Sequence, residues 1–120
     1  MLTTFPREPH GLGLLMAETL LTLEGCPCLS LGTQTPISNI ARASNVYRAD
    51  IVALSFTSSI SGNAVIKGLN ELRQALPQTV EIWAGGHCPA LQRRDAPHVQ
   101  RIGALSEIQA QIARWRSQQT

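Results

Sequence analysis

The sequence has little of several things, and each shortage narrows the reading. No uninterrupted apolar stretch approaches the roughly 20 residues a membrane helix needs, so no spanning segment is expected. Neither sign of charge dominates: ten lysines and arginines stand against eight aspartates and glutamates, which argues against a dedicated nucleic-acid surface. Arg93, Arg94, Arg101, Arg114 and Arg116 make the last third more basic, and a solvated face is the simpler account of them. Cysteine is scarce and odd in number, at three. Cys26-Pro27-Cys28 lacks the two-residue gap of zinc sites and redox dithiols, so Cys26, Cys28 and Cys88 read as reduced core or near-surface thiols, with a metal role the less favoured alternative. The amino terminus, "MLTTFPREPH", has no basic start followed by a long apolar segment, so a secretory signal is not expected and the cytoplasm is the default setting.

What is present fits one domain over residues 1–120, a length that buries a single core without disulfides or structural metal. No repeat, linker or low-complexity tract interrupts it. Short apolar runs alternate with amphipathic segments. Leu2 to Phe5 is a short first strand. Gly13 to Glu24 follows as a helix stopped by Gly25, and its apolar residues wrap so much of its circumference that burial on more than one side is expected. Cys28 to Leu31 reads as a second strand. A Thr35 cap with Pro36 at the first helical position opens a helix running towards Arg48. "DIVALS", Asp50 to Ser55, is a continuous apolar strand of the kind covered on both faces. "SGNAVIKGLNELRQALP" is an amphipathic helix ended by Pro77, and "VEIWAGG" is the fourth strand. Val99 to Ile102 is a fifth strand, and Ser106 with Gln109 makes a capping-box pattern before a last helix. This alternation predicts an α/β fold: a doubly wound, five-stranded parallel sheet, flavodoxin-like or Rossmann-like, in the order 2-1-3-4-5 with helices on both faces.

The unusual residues all follow strands. Glu8, His10, Gly11 and Gly13 come after the first strand, Ser55, Thr57, Ser58 and Ser59 end the third, and Gly85 and Gly86 end the fourth. In the expected order those three strands are neighbours, so their carboxyl-end loops converge where open parallel sheets bind ligands. Glycines at a helix start cost stability, so Gly11 and Gly13 reflect either turn geometry or the close approach of a ligand; Gly85 and Gly86 pose the same choice. A lone histidine is more often an ordinary loop residue. Glu8, two residues away, can accept one ring N–H of His10, fix the tautomer and raise the basicity of the other nitrogen. One histidine is too few for a protein zinc site, yet enough as an axial ligand to a metal held by a macrocycle.

Glu8-Pro9-His10-Gly11-Leu12-Gly13, Ser55-Phe56-Thr57 and Gly85-Gly86 resemble, in order and spacing, the D-x-H-x-x-G, S-x-L and G-G signature of cobalamin-binding domains. The resemblance covers nearly the whole chain, and "HGLGLLMAE" is most similar to the carboxyl-terminal module of MerR-type cobalamin-dependent regulators. It implies that His10 is the lower axial ligand to cobalt in a base-off, His-on arrangement, with Glu8 behind it. It further implies that Ser55 and Thr57 line the channel for the displaced nucleotide tail, that Gly85 and Gly86 let the tail pass, and that Gly13 allows close approach under the corrin. Glu8 replaces the usual aspartate and Thr57 the usual leucine. The helical bundle that usually covers the corrin and a MerR-type DNA-binding domain are not in this sequence, which implies either a piece of a larger regulator or a domain capped by a partner.

Three functions follow as expectations. The first is a cobalamin-binding sensory or regulatory module without catalysis of its own. The second is the corrinoid carrier subunit of a methyltransferase or mutase, in which the cofactor supplies the chemistry. The third is a flavodoxin-like interaction domain with no cofactor. No paired carboxylates or nucleophile–base set suggests an independent reaction. The expected partners are cobalamin, in a methyl-, adenosyl- or hydroxo- form left open, and a helical cap domain or partner protein. A homo-oligomer is left open, and neither nucleic acid nor membrane is expected to bind this chain directly. His87 and Cys88 read as a solvent-facing loop pair, His98 has no assigned role, and Trp83 and Trp115 read as packing residues.

Overall fold

The computed structural model describes residues 1–92 and 98–119, so Arg93 and Arg94 lie outside the described residues. In chain order the elements are β1 (Leu2–Thr3), α1 (Leu12–Leu23), α2 (Ile37–Tyr47), β2 (Ile51–Phe56), α3 (Gly62–Ala75), β3 (Glu81–Gly86), β4 (Val99–Ile102) and α4 (Ile108–Ser117). The strands form one parallel sheet in the order β1-β2-β3-β4.

Strand alternation divides the interior in two. Val52, Leu54 and Phe56 of β2, with Ile82 and Ala84 of β3, join residues of α2 and α3 in one buried cluster. The residues between them, Ile51 and Ala53 of β2 and Trp83 of β3, belong to a second cluster with Leu14 and Leu21 of α1 and Ile108 and Ile112 of α4. Helices therefore cover both faces. Phe5, just after β1, sets its ring edge-on to Phe56 with centroids 5.1 Å apart, a contact worth about 0.5–1.5 kcal/mol beyond its burial.

The expected five-strand order is not found among the described residues, whose sheet has four strands. Cys28 to Leu31, expected as a strand, makes only an isolated parallel bridge, Leu2 to Ser30, on the edge of β1 away from β2. Leu2 N–H donates to Leu29 O and Leu31 N–H to Leu2 O, both at 2.9 Å. Gly32, at φ +78°, then turns the chain out of the sheet, so the pairing stops after one residue.

Local signals fared unevenly. Gly25, at φ +80°, ends α1 as expected: its N–H bonds Thr22 O, and Cys26 N–H bonds Leu21 O. Ser61 caps α3, its hydroxyl accepting from Ala64 N–H at 3.2 Å. Thr35, expected as a cap, instead bonds the Thr3 hydroxyl at 2.6 Å, and Pro36 stands at the cap position. The expected Ser106–Gln109 capping box is not formed. A 3₁₀ turn over Leu105–Glu107 precedes α4, and Glu107 accepts from Gly103 N–H at 2.8 Å. Nor is α1 buried on more than one side: only Leu14 and Leu21 are buried, while Leu12 and Leu15 are 70% and 60% exposed. Among the described residues, no helix is long and apolar enough to cross a membrane.

Candidate functional site

The loop after β1 is built around buried polar groups. Thr4 Oγ1 donates to Glu8 O at 2.7 Å and accepts from Gln34 N–H at 2.8 Å. Glu8 N–H closes a turn onto Phe5 O at 3.1 Å, with Arg7 at φ +76°. Pro6 and a positive φ one residue later are the pattern of a type II turn. This turn drives the Glu8 side chain inward, where it is fully buried.

A buried carboxylate needs donors, and the loop after β2 supplies them. Thr57 donates its backbone N–H to Glu8 Oε1, and its hydroxyl lies 2.8 and 2.9 Å from the two carboxylate oxygens. His10 Nδ1 lies 3.1 Å from Glu8 Oε2. Burial pushes the Glu8 pKa up, but the Thr57 and His10 hydrogen bonds outweigh it and hold the carboxyl below its ordinary value. Glu8 is therefore ionised at neutral pH.

An ionised carboxylate only accepts, so it fixes the proton of a neutral His10 on Nδ1. That leaves Nε2 with a free lone pair, and Nε2 makes no hydrogen bond among the described residues. The His10 side chain is 58% exposed. Its Nδ1 has a further neighbour in the Ser59 hydroxyl at 3.2 Å. In the sequence Ser59 is one of several hydroxyls at a strand end; its place two residues after Thr57 is the signal that links it to the histidine.

His10 stands at the rim of a cavity of about 580 Å³ between the sheet and α1 and α4. Gly13, Ser55, Thr57, Gly85 and Gly86 also line it, so six of the eight candidate residues share one space. Glu8 lies behind His10. Gly11 does not line the cavity; a Cβ there would come 3.1 Å from Thr33 Cγ2, so loop packing accounts for it. A Cβ on Gly13 would come 2.9 Å from Ser55 Oγ, and the cavity wall is tight at that point. Gly86, at φ +112°, admits no side chain at all, since a Cβ would overlap Phe56 O at 1.9 Å. Thr57 touches the cavity, but its N–H and hydroxyl are directed at Glu8, and the hydroxyl also accepts from Ser59 N–H at 3.2 Å.

The cavity wall is mainly apolar, with Leu14, Met16, Trp83 and Ile108 among its residues. Trp83 is a packing residue as expected, and it is also a wall of the cavity. His87 is exposed at the cavity, whereas Cys88, expected to face solvent, is buried in the α2/α3 cluster. Trp115 packs against the other cluster, and His98 is exposed. The three cysteines are free thiols, and no group of three or more metal-ligating side chains occurs among the described residues.

A four-stranded parallel sheet with helices on both faces and a carboxyl-edge cavity defines an α/β domain of Rossmann-like type. Comparison with known proteins narrows this. No protein-family model matches the chain. Over 86 residues it is 38% identical to the HTH-type transcriptional repressor CarH of Myxococcus xanthus, covering 72% of this chain and 29% of that protein. The chain thus spans under a third of that relative's length. Its fold matches a cobalamin-binding protein from Desulfitobacterium hafniense DCB-2, with a TM-score of 0.79 and 18% identity over 95% of this chain and 57% of that one. The monomethylamine corrinoid protein of Methanosarcina barkeri matches with a TM-score of 0.67 and 18% identity, over 93% of this chain and 55% of that one. The chain resembles cobalamin-binding domains, and in sequence it is similar to part of a transcriptional repressor.

Proposed function

We propose that this chain is a cobalamin-binding sensory module, the effector part of a transcriptional regulator, which takes its cofactor base-off with His10 as the lower axial ligand. One observation carries the reading: the Nδ1 side of His10 is held by a buried, ionised Glu8, while Nε2 is free at the rim of an apolar cavity. The donor set fits the group. A single neutral imidazole suits a metal whose other equatorial positions a macrocycle fills. The apolar cavity bounded by Ser55, Trp83 and Gly85 suits a long, flat appendage of the same cofactor.

When bound, the cofactor would supply a metal-centred chromophore and a reactive upper position; this chain's part is to hold, orient and partly desolvate it. The exposed Leu12 and Leu15 beside the cavity favour a helical cap or partner protein over the upper face, and a second copy of the chain is the other candidate for that place. A cytoplasmic setting goes with a regulator. The sequence likeness to a repressor favours a sensor, and the fold likeness to a corrinoid protein favours the second reading, a carrier subunit of a methyltransferase.

The test is an absorption spectrum of the chain mixed with hydroxocobalamin or methylcobalamin and desalted, beside His10→Ala. Retained corrinoid with a His10-dependent base-off, His-on spectrum is the expected result. Protons compete with the metal for imidazole, so retention should weaken as the pH falls. A wild type that retains nothing, alone and with a helical cap domain supplied, would sink the reading. Methyl transfer to a thiol or amine acceptor on mixing with a methyltransferase would replace the sensor by the carrier.

A further inference from the structure

A second cavity, of about 350 Å³, opens at the opposite edge of the sheet, where β2 begins. Cys26 and Cys28 both line it. Both are half-buried free thiols packed against the α1/α4 cluster. Pro27 between them fixes its own φ and disfavours helical geometry at Cys26, and both cysteines face the one cavity. Their sulfurs are held in place by separate partners. Cys28 Sγ lies 3.4 Å from Cys26 O and 3.8 Å from the Thr22 hydroxyl. Cys26 Sγ lies 3.6 Å from Arg116 Nη2, whose guanidinium is tied to the end of α1 through Glu24 O.

We infer that Cys26 and Cys28 form a two-sulfur site for a soft monovalent d¹⁰ ion, copper(I) in type. Thiolates select such ions, and two of them suffice for linear coordination. Spacing favours it over a disulfide. Residues two apart in an extended chain have side chains roughly 6.6 Å apart at the backbone, while a disulfide needs Cβ atoms about 3.5–4.5 Å apart. Two metal–sulfur bonds of about 2.3 Å each span a wider gap than one S–S bond does. Charge agrees as well. Two thiolates and one monovalent cation leave a net charge of −1, and the Arg116 guanidinium stands against Cys26 to offset it. Arg48 and Asp50, also on this cavity, offset each other, so the Arg116 guanidinium is the charge left to face the negatively charged complex. Tetrahedral zinc would need two more ligands, and no group of three metal-ligating side chains occurs among the described residues.

The test is an anaerobic titration of the whole chain with copper(I) against a chromophoric chelator, with zinc as the comparison ion. One copper(I) per chain is expected, lost in Cys26→Ser and in Cys28→Ser and kept in Cys88→Ala, with circular dichroism recording that each variant is folded. X-ray absorption of the wild-type complex, which depends on no variant, should find two sulfur neighbours. Copper left wholly with the chelator, binding that survives loss of both Cys26 and Cys28, zinc held as tightly as copper, or more than two sulfur neighbours would each overturn the assignment.

Discussion

Thr57 N–H points at Glu8 Oε1 while His10 Nδ1 faces Oε2, so a glutamine at position 8 would meet two different demands. Its amide oxygen would turn to the Thr57 N–H, leaving the NH₂ to face His10. The imidazole would then accept at Nδ1 and carry its proton on Nε2, where no lone pair remains for a metal. Glu8→Gln should therefore weaken corrinoid retention by roughly 10–100-fold while the fold persists, as measured by equilibrium dialysis beside a thermal melt. Retention equal to wild type would mean that Glu8 does not set the tautomer. Gly86 is a different kind of requirement. With φ at +112° and Phe56 O where a Cβ would sit, Gly86→Ala should cost roughly 3 kcal/mol or more, read from urea unfolding. Gly13 faces a hydroxyl that can rotate away, so its substitution tests space in the cavity more than stability.

At the scale of elements, α1 carries an unsatisfied surface. Leu12, Leu15 and Met16 are spaced as neighbours on one helical face and are all exposed, next to the cavity that Leu12 and Met16 line. Leu15→Lys should leave the unfolding free energy of this chain, read from urea titration, unchanged within about 0.5 kcal/mol and lower its binding of an apolar dye. A large loss of stability would mean that the stripe is packed within the chain. The same helix marks a limit of reading by sequence. Its leucines were plain, but a pattern apolar all round does not say which side the domain itself covers. β2, β3 and their neighbouring helices were legible because an apolar run buried on both faces leaves little choice. The second expected strand was lost because pairing at an edge depends on tertiary contacts, here a single bridge at Ser30 and a turn at Gly32. The Glu8–His10 pair was legible from spacing alone. That Thr57 serves Glu8 was not, since 49 residues separate them and only the parallel pairing of β1 with β2 brings their loops together.

For the molecule as a whole, two carboxylates link stability to pH in the same direction. Glu8 is held below its ordinary pKa by Thr57 and His10 against the opposing pull of burial. Glu81 is held below it mainly by Arg114, whose Nη2 lies 2.6 Å from Glu81 Oε1, with burial opposing and Trp83 adding a hydrogen bond. In the unfolded chain both titrate near the ordinary glutamate value of about 4.3. Above that value each is ionised in both states and its stabilisation is complete. As pH falls through it, the unfolded chain takes up protons first, and the contribution drains away until the lower folded-state pKa is passed. Urea midpoints should thus hold level from about pH 7 to about pH 5 and fall below that. Glu8→Gln, already less stable at neutral pH, should fall less steeply in acid, because one of the two linked protons is gone. Glu81 sits far from His10, on the side of the sheet where α4 ends, so Glu81→Gln should flatten the acid limb in the same way yet leave corrinoid retention at neutral pH unchanged. Parallel acid limbs in wild type and both variants would mean that neither carboxylate carries the linkage. Loss of retention in Glu81→Gln would mean that the two edges of the sheet are coupled through the cluster around Trp83.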